Sequence, residues 1–410
     1  MSDSEASTAE NPASKETSLV ASGVGGQDCS CRWSRRAWFP IKTLVAMALS
    51  QLALGSILLL GWVQRLVQRG ILKRWWQLSP LRESGVSFAD FAAGGTHSRE
   101  HIYWPNFVLG QNGYPRAALE RANGFFSRAG ILLKHLVRSL FRNLRLGLQA
   151  ILTTWTLTLP GCVLWLFAWY DGWNNSFNKG YEQAAVGPLV FGLGMILFSL
   201  AMFYVPLAQA RFASTGSWRS FYEFRLVWRL IRQEWLGCLL LAGLYALASL
   251  PLNIIKTIPQ FFPQMRPEWE LLSQEDAIRL LKVYFFWTML LLLPIYLILR
   301  MVAGRIYASG VVRALRRGTI LEEELTENEW EPLQRLGLLE SPEPARHHII
   351  VRALAWMATR AGMMTSGLLI FGFWLAFVFL IMMSEFFQFH PFVGWMNQPF
   401  VHLPWFRYLP

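Results

Sequence analysis

The sequence predicts an all-α polytopic transmembrane helical bundle of about six membrane helices, joined by basic loops that carry amphipathic interfacial helices. Three observations predict it. Of 410 residues, 53% are apolar and only 16% are charged, against about a quarter charged in ordinary soluble domains. The chain holds 20 Trp and 29 Phe, and aromatic rings favour the membrane–water boundary. The apolar residues also gather into runs near the ~20 residues that a spanning helix needs. These runs lie at 43–63, 147–169, 184–207, 236–255, 283–299 and 362–384, and none has Asp, Glu, Lys or Arg in its interior.

The elements follow in chain order. Residues 1–40 form a polar N-terminal tail, of which 1–30 are mostly Ser, Thr, Ala, Glu and Gly, too poor in apolar side chains to order. That tail is too long and acidic for the n-region of a cleaved signal peptide. Residues 41–63 make the first membrane helix, 64–145 a basic loop with an amphipathic helix, and 146–310 two membrane hairpins. A charged segment occupies 311–361, the last membrane helix 362–384, and an aromatic tail 385–410.

Loop charge sets the orientation. Bases crowd the connections after the first, third and fifth runs, among them Arg138, Arg145, Arg211, Arg232, Arg305 and Arg313. Residues 171–181 hold only Lys179, and 256–282 mix bases with acids. The positive-inside rule therefore puts the basic loops in the cytoplasm and the C-terminus outside a cell membrane. The first run has bases on both flanks. It either spans against the rule or bends at Gly55 and Gly61 as a re-entrant hairpin, which is tolerated where protein covers the backbone.

Two basic connectors read as surface helices. Over 125–145, Arg128, Lys134, Arg138, Arg142 and Arg145 share one helical arc, and Leu132, Leu133, Leu136, Val137, Leu140 and Leu144 fill the other. That pattern suits either the inner headgroup layer or a cytoplasmic lead-in packed on neighbouring helices. A shorter version runs from Ser220 to Arg232, with Glu223 and Glu234 intruding on its apolar side.

Short patterns also recur 94 positions apart. Leu136-Val137-Arg138 pairs with Leu230-Ile231-Arg232, and Ala210-Arg211-Phe212 through Gly216 pairs with Gly304-Arg305-Ile306 through Gly310. They bracket the two hairpins, whose interface would be a natural place for a site if the hairpins are duplicates.

The stretch Pro206-Leu207-Ala208-Gln209-Ala210-Arg211-Phe212-Ala213, followed by Thr215-Gly216, Phe221-Tyr222-Glu223-Phe224 and Trp228-Arg229-Leu230-Ile231, resembles a prokaryotic multi-pass membrane family. That family is catalogued only as a domain of unknown function. Gly61-Trp62 with Arg65 looks like its glycine–aromatic step. The resemblance covers residues 44–248 and implies a membrane protein, with no activity to carry over.

Catalytic chemistry is scarce. No acid or base stands inside an apolar run, where an ionisable group costs at least about 2.5 kcal/mol and marks function. The hydroxyls of Thr153, Thr154, Thr156 and Thr158 either line a path for a neutral solute or bond helix carbonyls. His97, Glu100 and His101 lack the Glu-after-His order of a zinc hydrolase. Cys29 and Cys31 form an isolated pair, and Cys162 and Cys238 fall near opposite faces, which disfavours a disulfide. No metal ligand set and no cofactor motif is read. The acidic run Glu322–Glu331 follows Arg313, Arg316 and Arg317, as a solvated face or a segment salt-bridged back to those bases. The aromatic tail reads as an outer-boundary anchor or a cap over an outer opening.

The net charge of +12 points to anionic lipid and to membrane protein partners rather than nucleic acid. A non-catalytic membrane subunit or scaffold fits best. A permease or channel for a neutral or anionic solute is the alternative, and a membrane-embedded enzyme the weaker one. Arg211 and Arg305, with Arg138 and Arg232, are the candidate contacts for lipid phosphate.

Overall fold

The computed structural model describes residues 43–93, 122, 124–168, 186–339, 349–388 and 400–401. Every regular element among them is helical. The polar tail, Cys29, Cys31, His97, Glu100 and His101 lie outside the described residues, as does the aromatic tail past Gln388 apart from Phe400 and Val401.

The first apolar run is not one helix. Helical residues up to Ser50 give way at Gln51, Leu52 is extended, and α1 (Ala53–Leu78) follows. A Cβ added at Gly55 would sit 2.0 Å from the Leu49 carbonyl oxygen, so the chain bends sharply here. The bend lies at Gln51 and Leu52 rather than at Gly55 and Gly61, which serve instead as points of close approach. α1 then runs through Arg65, Arg69, Lys73 and Arg74 without a break. Leu59, Val63, Val67, Ile71 and Trp75 are core, and Arg65 is buried with them, donating to Asn143 Oδ1 on the neighbouring helix at 2.8 Å.

After α1 come α2 (Phe125–Phe167), α3 (Val186–Thr215), α4 (Phe224–Gln233), α5 (Trp235–Thr257), α6 (Gln274–Arg316), α7 (Glu327–Arg335) and α8 (Ile349–Gln388). Five of the described helices are long and apolar enough to cross a membrane: α2, α3, the α5 stretch to Met265, α6, and α8 from Ala353 to Ser384. The chain is an all-α polytopic bundle, with α1 as a partly charged helix packed on α2, α6 and α3. α2 lies along α3, and α5 along α8.

Glycine sets how closely the helices cross. A Cβ at Gly61 would lie 1.9 Å from the Asn143 carbonyl oxygen, and one at Gly147 would lie 1.8 Å from that of Ile57. Gly161 and Gly194 meet in the same way between α2 and α3. Such backbone contact is how apolar helices associate where lipid offers no hydrophobic drive. The hydroxyls of Thr153, Thr158 and Ser199 donate to carbonyls one turn back, which satisfies each hydroxyl within its own helix.

Two expectations change. Residues 125–145 do not form a separate surface helix. They are the N-terminal half of α2, continuous with its apolar half, because Gly147 is pinned against α1 and does not end the helix. Positions 94 apart also take unlike places: α2 is unbroken across Arg138–Gly147, whereas α4 and α5 part at Glu234. Gly216 ends α3 at φ +70°, while its counterpart Gly310 lies inside α6.

Candidate functional site

The basic ends of α3 and α6 converge on one buried guanidinium. α3 loses all exposed surface over its last turns, and Arg211 there is fully buried. Its Nε donates to Glu223 Oε2 at 2.6 Å. One terminal nitrogen donates to Tyr307 OH and Glu329 Oε2, both at 3.0 Å. The other donates to the Glu324 carbonyl at 3.2 Å and pairs with Glu223. The guanidinium thus donates four hydrogen bonds and pairs with two carboxylates.

Glu329 is equally committed. Its Oε1 accepts from Tyr307 OH at 2.5 Å, and its Oε2 accepts from Thr326 Oγ1 at 3.2 Å as well as from Arg211. The backbone explains how it gets there. Gly318, at φ +63°, ends α6 with the Gly318 N–H bonded to Leu315 and the Thr319 N–H to Ala314. This glycine C-cap reverses the chain and returns 319–339 across the bundle end. Ile320, Leu333, Leu336 and Leu338 bury themselves there, and Asn328 donates to the Thr215 carbonyl at 2.7 Å.

The acidic run thus pairs away from the bases that precede it. Glu324 binds Arg229 on α4, and Glu329 binds Arg211 on α3. Arg313 pairs instead with Glu234 at 2.9 Å, at the break between α4 and α5. The two carboxylates that intruded on the apolar arc of the second connector, Glu223 and Glu234, are therefore partners of Arg211 and Arg313. That misplacement was the signal in the sequence for this network. Arg229 holds the Glu324 carboxyl below the ordinary glutamate value. Burial pushes the Glu234 carboxyl up, and Arg313 offsets that only in part.

No family model, curated protein or solved structure matches the chain.

The four bases expected to hold lipid phosphate separate into two kinds. Arg211 is consumed by carboxylates of its own chain and has no surface for a headgroup. Arg305, Arg138 and Arg232 are exposed, with Arg232 lying 5.6 Å over the Trp228 ring. Among the described residues no cluster of His, Cys, Asp or Glu is arranged to hold a metal. Cys162 and Cys238 are free and buried. The Arg211 network is a clasp: it fixes the returning segment, and with it the relative positions of α3, α4 and α6.

Proposed function

We propose that the chain is a non-catalytic membrane subunit or scaffold, which presents the N-terminal half of α2 to an acidic amphipathic partner protein on the cytoplasmic side. One observation carries this. At 1.5 Å per residue the 43 residues of α2 reach about 64 Å, roughly twice the ~30 Å of a hydrocarbon core. With 147–167 in the bilayer, residues 125–146 project about 33 Å beyond it.

The projecting half keeps an apolar stripe uncovered. Phe126, Leu133, Val137 and Phe141 are 88%, 62%, 57% and 69% exposed. Lys134, Arg138 and Arg145 flank them, also exposed. Lipid can cover such a stripe only near the membrane surface. Further out, a helix with apolar anchors and acidic flanks matches it in both shape and charge. Arg305 and Arg232 lie off this stripe and suit anionic headgroups, each worth about 1 kcal/mol near such a surface.

The test is site-specific photo-crosslinking from position 137 in native membranes. The expected product is an adduct with an acidic protein, lost when Leu133 and Phe141 are changed to Glu. Adducts with lipid alone would overturn the partner reading.

A further inference from the structure

Another buried guanidinium lacks what Arg211 has. Arg300, on α6, is 3% exposed, yet no carboxylate among the described residues pairs with it. Its Cζ lies 4.9 Å over the Tyr296 ring. One terminal nitrogen donates to the backbone carbonyls of Phe400, at 3.3 Å, and Val401. Gln209 on α3 donates to the same Val401 carbonyl at 3.3 Å and to Thr154 Oγ1 at 2.8 Å. Arg300 Nε and Gln209 Oε1 are buried with no hydrogen-bond partner.

Neutral carbonyls, the Tyr296 ring face and the phenols of Tyr245 and Tyr296 surround the guanidinium, and none of them supplies a counter-charge. Buried charges in proteins are ordinarily paired, because the unpaired form costs several kcal/mol. A guanidinium is also shaped to bind two oxygens of one carboxylate or phosphate. Here two separate backbone oxygens stand at that position. Phe400 supplies one of them from a left-handed conformation at φ +66°, which costs a non-glycine residue about 1 kcal/mol or more.

We infer that Arg300 and Gln209 form an oxyanion-binding site inside the bundle, for a phosphate or carboxylate group that competes with the Phe400 and Val401 carbonyls. Gln209 supplies a second donor beside the guanidinium, and the unpartnered Arg300 Nε supplies a third. This site is separate from the projecting face of α2 and stands whether or not that face has a partner.

The probe is inorganic phosphate, titrated against the thermal midpoint of the full chain in phosphatidylcholine nanodiscs, with chloride at matched ionic strength as the reference. Phosphate should raise the midpoint of the wild type. Phe400→Ala removes the aromatic anchor while keeping the cost of the left-handed backbone, and should lower the half-effective phosphate concentration about tenfold by enlarging the open fraction. Arg300→Gln should abolish the response. Arg300→Lys, which keeps the charge and is less disruptive, should weaken it about tenfold by losing the bidentate fork.

A parallel series with phosphatidylglycerol in the nanodiscs identifies the source of the oxyanion. A headgroup ligand stabilises the wild type but not Arg300→Lys, and blunts the phosphate response. A free solute ligand leaves the two series alike. Equal responses of the wild type, Phe400→Ala and Arg300→Lys to both phosphate and phosphatidylglycerol would overturn the inference.

Discussion

Arg211 and Glu329, 118 positions apart, form an ion pair in which neither side chain has exposed surface. Removing one partner of such a pair strands the other charge. Glu329→Leu should therefore destabilise the protein by about 3–5 kcal/mol, read from denaturant unfolding in mild detergent. Replacing both, as Arg211→Met with Glu329→Leu, should recover most of that loss, since a packed apolar pair is often as stable as a buried ionic one. A double variant no better than Glu329→Leu would show that Glu223 and Tyr307, rather than the pair, dominate the clasp.

Glu324 and Arg229 join the same returning segment to α4 at the surface, with both side chains about one-third exposed. The Glu324 carboxyl is depressed, first by its hydrogen bonds from Arg229. A depressed carboxyl contributes stability above the ordinary glutamate value and loses it as pH falls through the folded value. Arg229→Gln should reduce that acid-side slope, leaving the smaller part due to the Leu321 N–H and Arg211. It should cost less than about 1 kcal/mol at neutral pH, because solvent screens the pair. Unfolding midpoints from pH 7 down to the ordinary glutamate range would test this.

Gly61, Gly147 and Gly130 look alike in sequence but not in structure. An added methyl at Gly61 or Gly147 would meet the backbone of the opposite helix below 2 Å, and backbone cannot yield as a side chain does. Either change to Ala should force α1 and α2 apart and cost at least about 2 kcal/mol, in the range of overpacking. A methyl at Gly130 meets nothing within 4 Å. Gly130→Ala should instead stabilise α2 by up to about 1 kcal/mol, the propensity difference. Thermal midpoints of the three variants decide it.

These sites mark how far the sequence could be read. The apolar runs were legible because length and hydropathy are local properties, and five of them are long membrane-type helices. The first run misled because its apolar stretch said nothing of the extended Leu52 or of the charged continuation of the helix to Leu78. The amphipathic segment before Gly147 was rightly helical, but whether it lay flat or ran on depended on α1 holding that glycine. The partner of Arg211 was out of reach, since pairing across 118 residues depends on the Gly318 reversal. Arg300 stands just past the fifth apolar run, where a loop base is expected, although α6 carries it into the core.

Glu234 reverses the rule that breaking a buried ion pair is costly. Its carboxyl is nearly buried, while Arg313 is more than half exposed, so the arginine returns only part of the desolvation cost. Burial is the largest influence and raises the Glu234 value. A carboxyl raised in the folded state is destabilising when ionised, above that raised value. Stability is regained as pH falls through it toward the ordinary glutamate value. Glu234→Gln keeps the shape and removes the charge. It should be neutral or stabilising at pH 7, opposite in sign to Glu329→Leu, and its advantage over the wild type should shrink as the pH is lowered. The Glu324 slope runs the other way and is common to both proteins, so it cancels in the difference between them. A loss of several kcal/mol on Glu234→Gln at pH 7 would show instead that Arg313 holds this carboxylate as firmly as Arg211 holds Glu329.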